Sequence, residues 1–280
     1  MMKKLLSLFL AITLAAACCG TCLAAPKSNK NAYRQILDEG FTYDEGGATM
    51  VVTWCNDGDA KIFGRMWLPR DFSEDNTYPT IIMCHGHNGN ADFWEKYFGP
   101  QMARLGYVCY AIDCRSSHDG KRDYSTPNDD RIATVSTFAR DIIAATNFML
   151  EKPYVDQNNV YLAGQSMGGM AVQAAASRIP EQINGLLVLY GFVSESVKDM
   201  MDCYDEVIEH PYENGEVLMM GGTLDAACNW ENVEQNLALY PKRSSMILIS
   251  GARHGYGKED TRPEQISSEA MHDFIQRTLR

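Results

Sequence analysis

Polar and apolar residues mix along 48–54 (ATMVVTW) and 61–68 (KIFGRMWL) in the manner of half-buried strands. Asn56-Asp57-Gly58-Asp59 between them supplies turn residues, so the pair is predicted to be a hairpin. The rhythm then changes. Short, continuously apolar runs at 80–84 (TIIMC), 107–113 (YVCYAID), 159–164 (NVYLAG), 186–190, 217–220 and 246–250 predict buried strands. Helices are expected between them at 91–105, 129–150, 167–177, 232–239 and 263–279. In the second of these, Ile132, Val135, Phe138, Ile142, Ile143 and Phe148 recur at helical spacing. Strands alternating with helices imply an α/β fold, with a mostly parallel sheet covered on both faces and ligands at the carboxyl ends of the strands. The one irregular stretch, the acidic segment 192–216, is expected to be a small lid insertion.

The N-terminus follows a different pattern. Met1-Met2-Lys3-Lys4 is basic, residues 5–17 are apolar or small apart from Ser7 and Thr13, and Cys22-Leu23-Ala24 sets small residues on either side of a larger one. This is the pattern of a signal peptide over 1–24, followed by a polar lead-in over 25–47 and one domain over 48–280. Secretion or delivery to a periplasm is expected. Lipoprotein anchoring at Cys18 is disfavoured, because Ala15 stands where such a site usually carries Leu. The apolar run is short for a membrane span, and no later segment is long and apolar enough to cross a bilayer.

Composition narrows the partners. The 280 residues carry a net charge of −11, are 45% hydrophobic and 22% charged, and contain no basic run. Nucleic acid is excluded as a partner on this balance, since phosphate contacts need clustered Lys and Arg. Loss of Lys3 and Lys4 with the leader removes two positive charges, leaving about −13. It also leaves six of the nine cysteines: Cys55, Cys84, Cys109, Cys114, Cys203 and Cys228. None forms a CxxC pair, so a zinc knuckle is unsupported. Export permits disulfides, and Cys203–Cys228 is the pairing expected if there is one.

The strongest chemical signal is Gly164-Gln165-Ser166-Met167-Gly168-Gly169, which follows a strand and opens a helix of small residues. In that setting GxSxG is a nucleophile elbow. A strained turn lifts the serine hydroxyl above the sheet, and the flanking glycines leave room for it. The helix N-terminus adds a field favourable to developing negative charge.

With His85-Gly86 after one strand, Asp113 and Arg115 after the next, the elbow at Ser166, and then Asp225 and His254 in that order, the chain resembles the α/β-hydrolase superfamily over roughly 48–280. The resemblance implies an α/β-hydrolase fold with an eight-stranded, mostly parallel sheet and an antiparallel strand in the first hairpin. It is most similar to secreted esterases related to dienelactone hydrolases and acyl-xylan-type esterases. Dienelactone hydrolase uses a cysteine nucleophile, whereas this chain has Ser166.

The expected chemistry follows from these positions. His254, just past the last strand, can take the serine proton and return it to the leaving group. Asp225, after a strand and a glycine turn, can fix the imidazole tautomer, with Asp202, Asp205 and Glu206 as rival acids. The backbone N–H of Met167 is one expected oxyanion donor, and by the resemblance the N–H of His87 is the other. His85 is expected to be structural, while His118, His210 and His272 are weaker candidates. Asp113 and Arg115 should brace their loop. Phe93, Trp94, Tyr190, Phe192, Trp230 and Tyr256 are candidate pocket residues.

The resulting reading is a secreted serine hydrolase acting on small-molecule or saccharide-linked carboxylic esters, with no metal or organic cofactor implied. Three rivals stand beside it: a serine peptidase similar to the prolyl-oligopeptidase catalytic domain, an acyltransferase on the same triad, and an inactive binding protein. The oligomeric state is left open.

Overall fold

The computed structural model describes residues 42–44, 47–58, 60–115, 134–241, 243–256 and 261–280. The expected leader at 1–24, most of the lead-in at 25–47, His118 and the first residues of the helix expected at 129–150 lie outside the described residues.

Strands β1 (Thr42–Asp44), β2 (Ala48–Asp57), β3 (Ala60–Pro69), β4 (Tyr78–Cys84), β5 (Val108–Asp113), β6 (Val155–Gln165), β7 (Gly185–Leu189), β8 (Glu216–Gly222) and β9 (Ser244–Ile249) form one sheet. Their order is β1-β2-β3-β5-β4-β6-β7-β8-β9. The first three strands run antiparallel to their neighbours, through the β3–β5 pair, and all pairs from β5 onward are parallel. Eight strands are those the apolar runs predict. The ninth, β1, adds a short antiparallel edge beside β2.

The helices are α1 (Asp92–Tyr97), α2 (Gly99–Arg104), α3 (Val135–Leu150), α4 (Met167–Arg178), α5 (Tyr204–Glu209), α6 (Trp230–Leu239) and α7 (Arg262–Thr278). The single helix expected at 91–105 is in fact two. Phe98 leaves helical geometry with φ −131°, and Gly99-Pro100 begins a second helix, where the missing proline N–H costs nothing.

Side chains of β5 alternate between two buried faces. Val108, Tyr110 and Ile112 enter the core shared with α3 and α4, which includes Phe138, Ile142, Ala171 and Val172. On the other face α2 and α7 are tied by the Ser268–Gln101 hydrogen bond of 3.0 Å, and Phe274 of α7 packs where Gly185 of β7 leaves no Cβ. Helix α4 reads as a run of small residues because it lies directly on the sheet. A Cβ at Gly168 would run into the carbonyls of Cys84 and His85.

The segment 192–216 carries a 3₁₀ turn (Glu195–Met200) and α5. Its inner side chains Met201, Cys203, Val207 and Tyr212 are buried in the core, and Arg178 of α4 grips Glu206 with two bonds of 2.7 Å.

The chain passes from β4 to β5 on one side and returns to β6 on the other, so the order reverses at β4. Cys84 at the end of β4 is level with Gly164 of β6. The loops leaving these two strands therefore emerge side by side, at the kind of switch point where α/β sheets bind ligands.

Candidate active site

Ser166 joins β6 to α4 with φ 52° and ψ −124°, a conformation that L-residues rarely adopt. The turn is held because the Ser166 N–H donates to the Leu189 carbonyl at 2.9 Å and the Ser166 carbonyl accepts from Gly169 N at 2.8 Å. Gly191 makes the conformation possible from the far side, since a Cβ there would overlap the Ser166 carbonyl.

Ser166 Oγ lies 2.9 Å from His254 Nε2, and His254 Nδ1 lies 2.9 Å from Asp225 Oδ2. The loops carrying the acid and the imidazole are clasped together. Leu224 N donates to the Ala252 carbonyl at 2.9 Å, and Gly251 N donates to Thr223 Oγ1 at 2.9 Å. Asp225 Oδ1 accepts from the backbone N–H groups of Ala227 and Cys228, both at 2.9 Å. Burial works to raise the Asp225 pKa. The bond from His254, the two amide bonds and the His254 charge outweigh it and hold the carboxyl below its ordinary range. An ionised Asp225 on Nδ1–H leaves the Nε2 lone pair facing the serine hydroxyl, the tautomer a general base needs.

The two residues expected at an oxyanion hole belong to segments that adjoin Ser166. Met167 is the first residue of α4, with its N–H at the helix terminus beside Ser166. His87 belongs to the turn closed by Gly89 N donating to the Gly86 carbonyl at 3.0 Å, and its side chain is exposed. That turn lies against Ser166, because a Cβ at Gly86 would stand 3.0 Å from Ser166 Cβ. His85 is buried with both ring nitrogens engaged: Nε2 accepts from Cys114 N at 3.0 Å, so Nδ1 carries the hydrogen bonded to the Gly86 carbonyl at 2.7 Å.

The rival residues lie elsewhere. Asp202 accepts from Ser136 N, Glu206 pairs with Arg178, and His272 bonds the Tyr107 hydroxyl. Asp205 faces Lys198, and His210 is exposed. Asp113 accepts from Ala91 N at 2.5 Å, bracing the start of α1. Arg115 binds the fully buried Asp141 through Nε and its backbone N, and reaches Asp57 in the hairpin turn. Burial pushes Asp141 up to about 6 against the pull of Arg115.

Of the candidate pocket residues, Trp94 and Phe192 are core and Trp230 is exposed. Phe93 packs against Trp94, Tyr97 and Phe98. Tyr190 and Tyr256 surround the site. The Tyr190 ring stands 5.0 Å from the His254 ring and 4.8 Å from that of Tyr256. Tyr190 also has φ 38° and donates its hydroxyl to Gln165 Oε1 at 2.9 Å. From sequence Tyr190 is only a pocket candidate and Cys228 only a cysteine in a loop near the site, while Gln165 carries no expected role. Their position after or beside a buried strand was the available signal, but the strained turn that aims them has none.

Cys203 and Cys228 are free thiols, contrary to the pairing expected. Cys203 is buried at the N-terminus of α5, while Cys228 donates through Sγ to the Tyr190 carbonyl at 2.9 Å. A groove of about 380 Å³ lined by Asp57, Arg140, Asn147 and Phe148 contains none of Ser166, Asp225 and His254.

Sheet order and strand–turn–helix geometry are those of an α/β-hydrolase. The sequence model of the serine aminopeptidase S33 family matches residues 75–217, half of the chain, and the protein belongs to that family of hydrolases. Dipeptidyl-peptidase 5 of Porphyromonas gingivalis is 29% identical over 116 residues, which is 38% of this chain and 16% of that protein. The chain thus spans well under a quarter of that curated relative. Among solved structures, Est1E from Butyrivibrio proteoclasticus with ferulic acid bound superposes with a TM-score of 0.63 at 18% identity, covering 80% of this chain and 99% of that one. Dienelactone hydrolase from Anabaena variabilis gives 0.61 at 15% identity, covering 84% and 100%. At these identities the structures speak for the fold alone. No helix among the described residues is long and apolar enough to cross a membrane.

Proposed function

We propose that the protein is an exported serine esterase that cleaves small-molecule or saccharide-linked carboxylic esters with Ser166, His254 and Asp225. The observation that carries this reading is the continuous line from Ser166 Oγ through His254 to Asp225, with both contacts at 2.9 Å. Ser166 Oγ attacks the ester carbonyl as its proton passes to His254 Nε2. The oxyanion is held by the N–H groups of Met167 and His87. The imidazolium gives its proton to the departing alcohol, leaving an acyl-serine. Water then donates a proton to His254 and its oxygen to the acyl carbon, and collapse of the second oxyanion frees the acid and Ser166. Asp225 stays ionised throughout and keeps the ring oriented.

The ester substrate follows the resemblance of the sequence to secreted esterases, and the fold is shared with Est1E and dienelactone hydrolase. A peptidase is the second reading, favoured by the dipeptidyl-peptidase relative. The two separate on a panel of p-nitrophenyl esters, acetate to decanoate, run beside dipeptidyl p-nitroanilides, with Ser166→Ala as control. Ester turnover that disappears in Ser166→Ala supports the esterase. Anilide cleavage without ester turnover moves the assignment to a peptidase. Folded protein that turns over neither overturns both.

A further inference from the structure

One thiol stands beside the Asp225–His254 pair and takes no part in the chemistry above. Cys228 Sγ, a carboxylate oxygen of Asp225 and a ring nitrogen of His254 all lie within 4.8 Å of one another. We propose that these three side chains form a binding site for a thiophilic divalent cation such as Zn²⁺ or Cd²⁺, and that its occupancy switches the hydrolase off. The inhibitory half rests on the esterase reading; the binding half does not.

The donor set is one that Zn²⁺ takes readily: a thiolate, an imidazole nitrogen and a carboxylate oxygen, with bonds of about 2.0–2.3 Å. Tetrahedral bonds of that length put donor atoms about 3.3–3.7 Å apart, so the set has to close by about 1 Å. The side chain best able to move is Cys228, which leaves its bond to the Tyr190 carbonyl. Its backbone N–H keeps its bond to Asp225 Oδ1. Burial is graded across the set: the Asp225 side chain is fully buried, Cys228 is half-buried and the His254 side chain is 36% exposed. An ion can therefore enter past His254 and shed water as it reaches the carboxylate. Asp225 is met by an imidazole and two amide N–H groups, so the site offers a negative charge to the ion. Burial and the nearby Asp225 charge hold the Cys228 thiol protonated, with its pKa pushed up to about 12, so the ion must displace that proton.

The consequence for catalysis is a change of tautomer. In the resting site Nδ1 carries the hydrogen and Nε2 accepts from Ser166. When the cation takes Nδ1, the imidazole remains neutral with its hydrogen on Nε2. The Cys228 proton leaves to solvent, and the cation is balanced by one thiolate and one carboxylate. Nε2–H has no lone pair for the Ser166 proton, so the nucleophile is not activated although nothing blocks the pocket.

The test uses Cd²⁺ and the full-length chain with Cys18, Cys19 and Cys22 replaced by Ser, beside the same protein carrying Cys228→Ser. Serine keeps a hydroxyl to donate to the Tyr190 carbonyl and is a poor cadmium ligand. The readouts are the ultraviolet thiolate-to-cadmium charge-transfer band and turnover of p-nitrophenyl acetate. The buried Cys84 and Cys114, with Sγ atoms 3.5 Å apart, are common to both proteins, so the difference between them is decisive. We expect one Cd²⁺ equivalent of band to be lost in Cys228→Ser. Wild-type turnover should fall by about 10³–10⁴-fold, as for an imidazole in the wrong tautomer, and return with EDTA. Cys228→Ser should hydrolyse the ester equally with and without Cd²⁺. Cys228→Ala repeats the comparison if the serine variant melts early. Equal bands in the two proteins, or no band in either, overturn the site. A band specific to Cys228 with equal inhibition of both proteins overturns the switch. Absence of turnover without cadmium counts against the esterase reading only, because the band still judges the site.

Discussion

The ring of Tyr190 stands edge-on to the imidazole of His254, with centroids 5.0 Å apart and planes at 68°. The same tyrosine is held at φ 38°, hydrogen-bonds Gln165 beside the nucleophile and accepts from Cys228 beside the acid. It thus touches a neighbour of each member of the hydrogen-bonded line. Strain of this kind persists only where surrounding contacts over-determine it.

Tyr190→Phe should keep the ring contact and lose one buried hydrogen bond, costing about 1 kcal/mol of stability and leaving ester turnover within about threefold. Tyr190→Ala should lose about tenfold in kcat as well, since an aromatic pair of this kind contributes about 0.5–1.5 kcal/mol. Urea melts and steady-state kinetics on both variants check this. Equal kcat in the two would mean that the ring does not position His254.

Asp225→Asn preserves shape but presents an amide that favours the wrong imidazole tautomer. A loss of about 10⁴-fold in kcat is expected, with KM changed far less. Burst kinetics with p-nitrophenyl acetate should show acylation itself slowed. A fall of tenfold or less would assign the orienting role to another acid.

Gly191→Ala should be costly although it adds a single methyl group. The new Cβ overlaps the Ser166 carbonyl and stands 2.7 Å from Gly169 Cα, and overpacking of this sort costs about 1–3 kcal/mol. Relief of the clash must shift the turn that aims Ser166. Thermal melting and ester turnover should therefore fall together, whereas Gly58→Ala, at φ 57° with open space around it, should lower the melting temperature through backbone strain and leave turnover unchanged.

Acid should weaken the fold through two carboxylates in particular. Burial tends to raise Asp57, but the hydrogen bonds and charges of Arg115 and Arg140 outweigh it and hold it below its ordinary range. The bidentate bond from Arg178 does the same for Glu206. A folded pKa below the unfolded one gives stability that is full above about pH 4–5 and drains away as the pH falls through the folded value. Asp141, pushed up to about 6, acts in the opposite sense between about pH 6 and 4, because the folded state then binds its proton more readily. Urea midpoints measured from pH 7 to pH 3 should bring wild type and Asp57→Asn together at the acid end. A gap that stays constant would show that Asp57 is not coupled to protonation.

Much of this layout is legible from residues alone, for identifiable reasons. Buried parallel strands are short and continuously apolar, and the runs at 80–84, 107–113 and 186–190 stand out on that ground. The turn Asn56-Asp57-Gly58 joins β2 to β3 as its composition requires. What escaped depends on backbone angles and on contacts far apart in sequence. The break at Phe98 is announced only by Gly99-Pro100. The edge strand β1 is three residues long and carries too little pattern to stand out. A loop position near the site suggests Cys203 as a partner for Cys228, whereas the place of Cys228 is decided by the Asx-like turn in which Asp225 gathers the N–H groups of Ala227 and Cys228. Tyr190 read as one aromatic among several because positive φ leaves no mark on a tyrosine codon.

Ser166 and His254 are separated by 88 residues and hang from β6 and β9, with β7 and β8 between them in the sheet. The nucleophile is synthesised long before its base, and the two meet only after every intervening strand has been added. A chain interrupted anywhere ahead of His254 carries a serine with nothing to activate it. On the proposed triad, hydrolysis therefore waits on a residue that lies 88 positions beyond the serine and past the last strand of the sheet.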